Sequence, residues 1–137
     1  MKKILVAVDG SPASAHAAAM ALEIAGPAGA EVVLVHVVPP AFVPAEVPFG
    51  VTPWTEEAVK AGEKLLEETV KTLGDPAVKT VNLVGSPAER ISDLAEQEHA
   101  DLVVVGSKGR GAVSRVLIGS VTDRIVHICK KAVLVVR

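Results

Sequence analysis

The stretch Leu102-Val103-Val104-Val105-Gly106-Ser107-Lys108-Gly109 is followed, after nine further residues, by Gly119-Ser120. Its four consecutive apolar residues predict a buried strand that ends in a glycine turn. Glycines let backbone N–H groups turn inward and let a ligand approach the chain closely. A Gly-Ser step that opens a helix adds unpaired N–H groups and the positive end of the helix dipole. The spacing G-x2-G-x9-G-S therefore predicts a loop that holds an anion such as a polyphosphate.

The apolar runs along the rest of the chain predict a parallel sheet. They are continuous rather than alternating, as expected of strands that helices cover on both faces. Helical patterns fill the intervals between them. This alternation predicts one α/β domain over residues 1–137, a doubly wound open sheet of five parallel strands with helices on both faces. The runs are Ile4–Val8, Val32–Val38, Leu102–Val105, Val133–Val136 and, more weakly, Val78–Val84.

Capping residues predict where the four helices begin and end. The first helix is expected to end near Gly26-Pro27. The third and fourth are expected to open with capping boxes, in which a hydroxyl and an acidic side chain satisfy each other's backbone N–H groups. The expected starts are Ser11-Pro12, Thr55 for a helix that runs to Leu73, Ser86 with Glu89, and Ser120 with Asp123.

Composition and charge exclude several classes of protein. The formal charge of −2 and the absence of a basic block argue against a nucleic-acid partner. No apolar run approaches the ~18 residues of a membrane span. The run Ile4–Val8 after Met1-Lys2-Lys3 is shorter than the apolar core of a signal peptide. The single cysteine, Cys129, excludes an intrachain disulfide, which fits a reducing cytoplasm. We therefore expect a cytoplasmic protein, and the short apolar runs predict no membrane partner.

Two strand orders fit the pattern, and they place the first strand differently. In the order 3-2-1-4-5, strands one and four meet where the order reverses, which is where ligands bind in open α/β sheets. The turn Asp9-Gly10-Ser11 would then lie beside Gly106–Gly109, and His36–Val38 would border the same crevice. In the order 2-1-3-4-5, the third strand would separate Asp9 from the glycine loop. Periodicity does not choose between the two.

One irregular stretch, Pro39 to Pro53, is too long for an ordinary connection between a strand and a helix. It is interpreted either as a flap beside the site or as a solvated insertion.

The whole chain resembles the universal stress proteins (UspA-like), in particular their nucleotide-binding subgroup. The resemblance is carried by the start Lys3–Ser11, by Val32–Val38, by Asp101–Gly109, by Leu117–Val121 and by the end Ala132–Arg137. The glycine motif is its specific part, because non-binding members of the family have a degraded motif. The resemblance implies the order 3-2-1-4-5, a Rossmann-like fold, ATP binding and a homodimer formed through the edge strand Val133–Val136.

The resemblance also implies a role for each site residue. Adenine is expected near Ala7, Asp9, Val37 and Val105, with the backbone of Val37 reading the base edge. Asp9 would contact the base or ribose, or orient a Mg2+ ion that the phosphates carry; its alternative role is to form the turn before Ser11. The expected phosphate and ribose contacts are Gly106, Gly109, Gly119, Ser120 and Val121, with positive charge from Lys108 and Arg110, and Val8 and Ser11 complete the expected set.

The sequence shows no set of catalytic residues beside this predicted phosphate-binding loop. The sequence lacks the Walker pattern G-x4-G-K-[ST], and Gly106–Gly111 reads GxxGxG rather than GxGxxG. His36 is interpreted as a hydrogen-bonded core residue, and Cys129 as a core residue with no activating partner.

Three hypotheses follow. The first is an ATP-binding regulatory or stress-response protein that hydrolyses ATP slowly at most. The second is a nucleotide-independent dimeric interaction module. The third is an ATP-dependent adenylating enzyme, whose Ser-Gly-Gly-x-Asp-Ser loop is not matched by Asp9-Gly10-Ser11-Pro12.

Overall fold

A computed structural model of the chain describes residues 1–40, 54–109 and 118–137, and strands and helices alternate along it. The expected flap beyond Pro40, up to Pro53, and Arg110 lie outside the described residues. The strands are β1 (Lys3–Ala7), β2 (Glu31–Val38), β3 (Lys79–Val84), β4 (Leu102–Gly106) and β5 (Ala132–Val136). The helices are α1 (Pro12–Ala28), α2 (Glu56–Leu73), α3 (Pro87–Gln97) and α4 (Ser120–Ile128).

The five strands form one sheet in the order β3-β2-β1-β4-β5, and every neighbouring pair is parallel. Val6 of β1 pairs with Leu34 of β2 on one side and with Val104 of β4 on the other. The predicted order 3-2-1-4-5 is therefore confirmed, and the alternative that separates β1 from β4 is wrong. The order reverses between β1 and β4, which places a crevice at their carboxyl ends.

Alternate strand residues enter two separate cores, one on each face of the sheet. Ile4 and Val6 pack with the buried alanines of α1 and with Leu66 of α2. Leu5 faces the other way and packs with Ile91 of α3 and Ile125 of α4. Helices thus cover both faces, as the continuous apolar runs predicted.

The first helix continues past its expected end. Pro27 lies inside α1, and the helix stops at Gly29, whose φ of 65° is left-handed. A proline so close to the end of a helix removes one backbone bond without interrupting further turns. The stop is set by the left-handed glycine, whose N–H bonds to Gly26 O.

Neither predicted capping box forms. Ser86 precedes α3 but makes no side-chain cap bond, and Glu89 instead accepts a 2.9 Å hydrogen bond from Arg124 Nε. At α4 the N-cap is Gly119, so Ser120 is the first helical residue and its hydroxyl does not cap. None of the helices in the described ranges is both long and apolar enough to cross a membrane.

Candidate functional site

A cavity of about 430 Å³ opens at the carboxyl ends of β1, β2 and β4, where the strand order reverses. The structure brings most of the predicted site residues to its wall. Gly119 and Ser120 lie just before the wall residue Val121, at the start of α4. The predicted residues in the wall are Ala7, Val8, Asp9, Ser11, Val37, Val105, Gly106, Lys108, Gly109 and Val121.

The turn after β1 is held by its own side chains. Gly10 has a φ of 85°, and Asp9 Oδ1 accepts a 2.9 Å hydrogen bond from the N–H of Ser11. The Ser11 hydroxyl caps α1 by accepting from Ser14 N at 3.2 Å, and it donates to Lys108 O at 3.3 Å. The hydroxyl hydrogen of Ser11 therefore joins the β1 turn to the glycine loop.

Gly106 is required by packing as well as by any ligand. A Cβ at this position would lie 2.7 Å from the backbone carbon of Ala13 and 2.8 Å from Ser14 N. Both neighbours are backbone atoms of the first turn of α1, which cannot move aside like a side chain. The glycine thus lets α1 approach the end of β4, a reason that the sequence motif did not reveal.

Gly109 lies where the three segments of the site meet. A Cβ on Gly109 would lie 2.8 Å from Asp9 Oδ2, a terminal atom of that side chain. A Cβ on Gly119 would lie 3.1 Å from Gly109 N. The β1 turn, the glycine loop and the start of α4 therefore surround one small space, and the bare Cα of Gly109 leaves that space open.

The start of α4 is tied to the glycine loop by its backbone. Gly119 N donates to Ser107 O at 2.7 Å, and Ser107 N donates to Val136 O at the end of β5. The N-cap glycine has no side chain to satisfy the first-turn N–H groups. These N–H groups, with the positive end of the helix dipole, provide an environment suited to an anion.

Two wall residues make hydrogen bonds to the ends of β1 and β4. His36 Nδ1 lies 2.7 Å from Val8 O, and because a carbonyl only accepts, this nitrogen carries the hydrogen. This confirms His36 as a hydrogen-bonded residue, and it also lies in the cavity wall. The hydroxyl of Thr122, which is buried, donates to Gly106 O at 2.6 Å. Sequence reasoning missed Thr122, because a threonine in a first helical turn carries no signal for a contact sixteen residues away.

The remaining wall is mostly aliphatic. Among the described wall residues there is no phenylalanine, tryptophan or tyrosine, so a flat ring would lie between aliphatic side chains. Helix α2 closes one side, a contribution that sequence reasoning also missed because its apolar stripe predicts only burial. The further wall residues include Ala58, Ala61, Gly62 and Leu65 of α2, and Pro87, Ile91 and Ile125 of the opposite layer.

Among the described wall residues, one carboxylate and one ammonium group provide charge, those of Asp9 and Lys108. In the parts of the chain that the structure describes, no group of three or more histidine, cysteine or acidic side chains could hold a metal ion.

The sequence model of the universal stress protein family matches residues 1–137. The chain belongs to the universal stress protein family. A universal stress protein of Thermus aquaticus is 38% identical over 140 residues, which cover 99% of this chain and 98% of that protein.

Solved universal stress proteins share the fold. The UspA protein of Lactobacillus plantarum is 29% identical with a TM-score of 0.80, over 99% of this chain and 97% of that one. A second universal stress protein, solved in complex with cAMP, is 26% identical with a TM-score of 0.74, again over 99% and 97% of the two chains.

Proposed function

We propose that this universal stress protein binds ATP in the cleft between β1 and β4, and that the bound nucleotide regulates its interaction with partners. The observation that carries this proposal is the space bounded by Asp9, Gly109 and the start of α4. Its size depends on the absence of a side chain at Gly109, and backbone N–H groups border it. These are the properties that suit a phosphate chain.

The phosphates would lie along the glycine loop and the start of α4. Gly106 and Gly109 would line the ribose and phosphates, and Lys108 would add positive charge. The backbone N–H groups of Gly119, Ser120 and Val121 would bind phosphate oxygens, as would the Ser120 hydroxyl. Ser120 is exposed at the first position of α4, which leaves its side chain accessible to a ligand.

The base would lie between aliphatic side chains at the ends of β1, β2 and β4. Ala7, Val37 and Val105 are on the same face of the sheet and in the cavity wall, which supports this placement. The backbone of Val37 would read the base edge. An adenine nucleotide is further supported by the relative that was solved with cAMP.

A Mg2+ ion would enter with the nucleotide rather than bind beforehand. Hard cations take carboxylate and phosphate oxygens, and Asp9 is the carboxylate in the described wall of the cleft. Its Oδ2 lies toward Gly109, where the phosphates are proposed. The phosphates would supply the other ligands.

The proposal is a binding and regulatory role, with hydrolysis slow at most. Phosphoryl transfer needs a positioned nucleophile as well as charge stabilisation. The sequence offers a phosphate-binding loop but no residue identified as a base that would activate water, and Asp9 Oδ1 accepts the N–H of Ser11. We also propose a cytoplasmic location.

A second candidate function is a dimeric interaction module that acts without nucleotide. Strand β5 pairs with β4 on one side, and in the described parts of the chain no strand pairs with its other edge. In a two-fold dimer, Val133–Val136 of two copies would pair antiparallel at this edge. This dimer is compatible with the nucleotide-dependent role. The two candidate functions differ in whether the dimer binds a nucleotide.

The test is Gly109→Val with Gly26→Val as its matched control. At Gly109 the new side chain meets Asp9 and fills the cleft, and among the described residues no backbone atom lies within 4 Å of its Cβ. At Gly26 nothing lies within 4 Å of an added Cβ. We expect calorimetry to detect ATP binding by the wild type and by the Gly26 variant, and none by the folded Gly109 variant. Unchanged ATP affinity in Gly109→Val would reject this site.

A further inference from the structure

At the cleft, two backbone carbonyls each accept a hydrogen bond from a side chain of a neighbouring element. His36 of β2 donates to Val8 O just after β1, and Thr122 of α4 donates to Gly106 O at the end of β4. Because the strand order reverses between β1 and β4, the two bonds flank the cleft. We infer that His36 positions the base-binding half of the site and Thr122 the phosphate-binding half. This inference rests on the proposed function.

Thr122 fixes the direction of the first turn of α4. Gly119 N bonds to Ser107 O, and the Thr122 hydroxyl bonds to the adjacent carbonyl of Gly106. These two bonds join the helix start to consecutive residues of the glycine loop. Thr122 is 5% exposed, so water has little access to compete for the Gly106 carbonyl. The N–H groups of Ser120 and Val121 are thereby held toward the cleft.

His36 fixes the end of β1 from the other side. Val8 N donates to Val35 O at 2.8 Å, and the Val8 carbonyl accepts from the ring of His36. The next residue is Asp9. The ring itself is confined, because an added Cβ on Gly62 of α2 would lie 2.6 Å from His36 Cδ2. A fixed ring holds the Val8 carbonyl, and through it the backbone that carries Asp9.

The roles of Thr122 and His36 predict different effects on the binding of ATP, which carries phosphates, and of adenosine, which does not. Loss of the Thr122 bond loosens only the helix start that faces the phosphates, so ATP should bind more weakly while adenosine binds as before. Loss of the His36 bond loosens the end of β1 and Asp9, so both ligands should weaken. A purely structural role of Thr122 would lower folding stability without changing the ratio of ATP to adenosine affinity. A purely structural role of His36 would lower folding stability, while the folded variant would bind both ligands as the wild type does.

The experiment is calorimetric titration of the wild type and four variants with ATP and with adenosine. Thr122→Val keeps the shape but removes the hydroxyl, and Thr122→Ser restores it. For one lost hydrogen bond we expect Thr122→Val to weaken ATP binding about fivefold to tenfold, with adenosine within about twofold and ATP restored by Thr122→Ser. His36→Leu should weaken both ligands by a similar factor. His36→Asn, whose amide nitrogen can take the place of Nδ1, should restore them.

Three results would overturn the inference while the proposed function stands: folded Thr122→Val with an unchanged ratio of ATP to adenosine affinity, His36→Leu that weakens ATP alone, or folded His36→Leu that binds both ligands as the wild type does. Failure of the wild type to bind either ligand would instead reject the proposed function, and the inference with it. If Thr122→Val does not fold, Thr122→Ala also removes the hydroxyl, and the same ratio of ATP to adenosine affinity decides.

Discussion

Gly106 and Ala13 lie so close that a Cβ on Gly106 would be 2.7 Å from the backbone carbon of Ala13. Gly109, three residues later, differs, because among the described residues its Cβ would meet the Asp9 carboxylate and no backbone atom. Two glycines of one motif therefore have different constraints. Gly106 is required for the fold, whereas Gly109 keeps the cleft open.

Gly106→Ala should destabilise the protein even without ligand. The added methyl group meets backbone atoms of α1, and overpacking of this kind costs about 1–3 kcal/mol. The free energy of unfolding in urea measures the loss. Gly26→Ala is the control, because its Cβ is unobstructed and alanine favours a helix by roughly 0.5–1 kcal/mol over glycine. Equal stabilities of the two variants would contradict the close packing of α1 on β4.

Gly62→Ala should also destabilise, although alanine is the better helix former. Its Cβ would lie 2.6 Å from both Asn82 Oδ1 and His36 Cδ2, so either α2 shifts or the ring of His36 turns away from Val8 O. We expect a loss of about 1–3 kcal/mol in the free energy of unfolding. The chemical shift of the His36 ring, followed by NMR, reports whether the ring has turned. A more stable variant with an unchanged ring would disprove this packing.

Ser11→Ala should lower both stability and ATP affinity. The substitution removes the N-cap of α1 and the bridge to Lys108 O, and loss of an N-cap costs about 0.5–2 kcal/mol. Thr55→Ala is a matched control, because Thr55 caps α2 in the same way but is not in the described cavity wall. Urea denaturation should show similar losses for the two variants. ATP affinity, measured by titration, should fall for Ser11→Ala but not for Thr55→Ala. Equal ATP affinities of the two variants would show that the bridge to Lys108 does not shape the site.

Asp101 should make the stability of the protein depend on pH in the acid range. Backbone N–H groups of Lys2 and then Lys3, bonded to Oδ2 at 2.7 and 3.0 Å, hold the pKa of this carboxyl below its usual value. Its contribution is therefore present above the unfolded pKa of about 3.9 and is lost as the pH falls through the lower folded pKa. The difference between the denaturation midpoints of the wild type and Asp101→Asn should stay constant from pH 7 to about 4 and should shrink as the pH is lowered further. A difference that does not shrink in this lower range would contradict this role.

The fold was predictable because its signals are local and repeated. Continuous apolar runs such as Leu102–Val105 indicate strands covered on both faces, and the structure confirms them. Periodicity could not choose the strand order, because a crossover leaves no mark on the hydrophobic pattern. The resemblance to universal stress proteins supplied the order that the sheet has.

The parts of the site that were missed depend on contacts between distant residues. Thr122 reaches Gly106 across the glycine loop, and Gly62 meets His36 only because α2 packs across β2. The capping box at Ser86 was wrong for a similar reason, since Glu89 is drawn to Arg124 on another helix. The sequence alone does not show when a side chain will bond to a residue that is distant in the chain rather than to its local partner.

The most direct test of ATP binding is calorimetric titration of the wild-type protein, stripped of nucleotide, with ATP and then GTP in the presence of Mg2+. The account predicts saturable ATP binding near one per chain, with GTP much weaker because the backbone of Val37 reads the base edge. Binding of neither nucleotide would contradict the account and would favour the nucleotide-independent dimer.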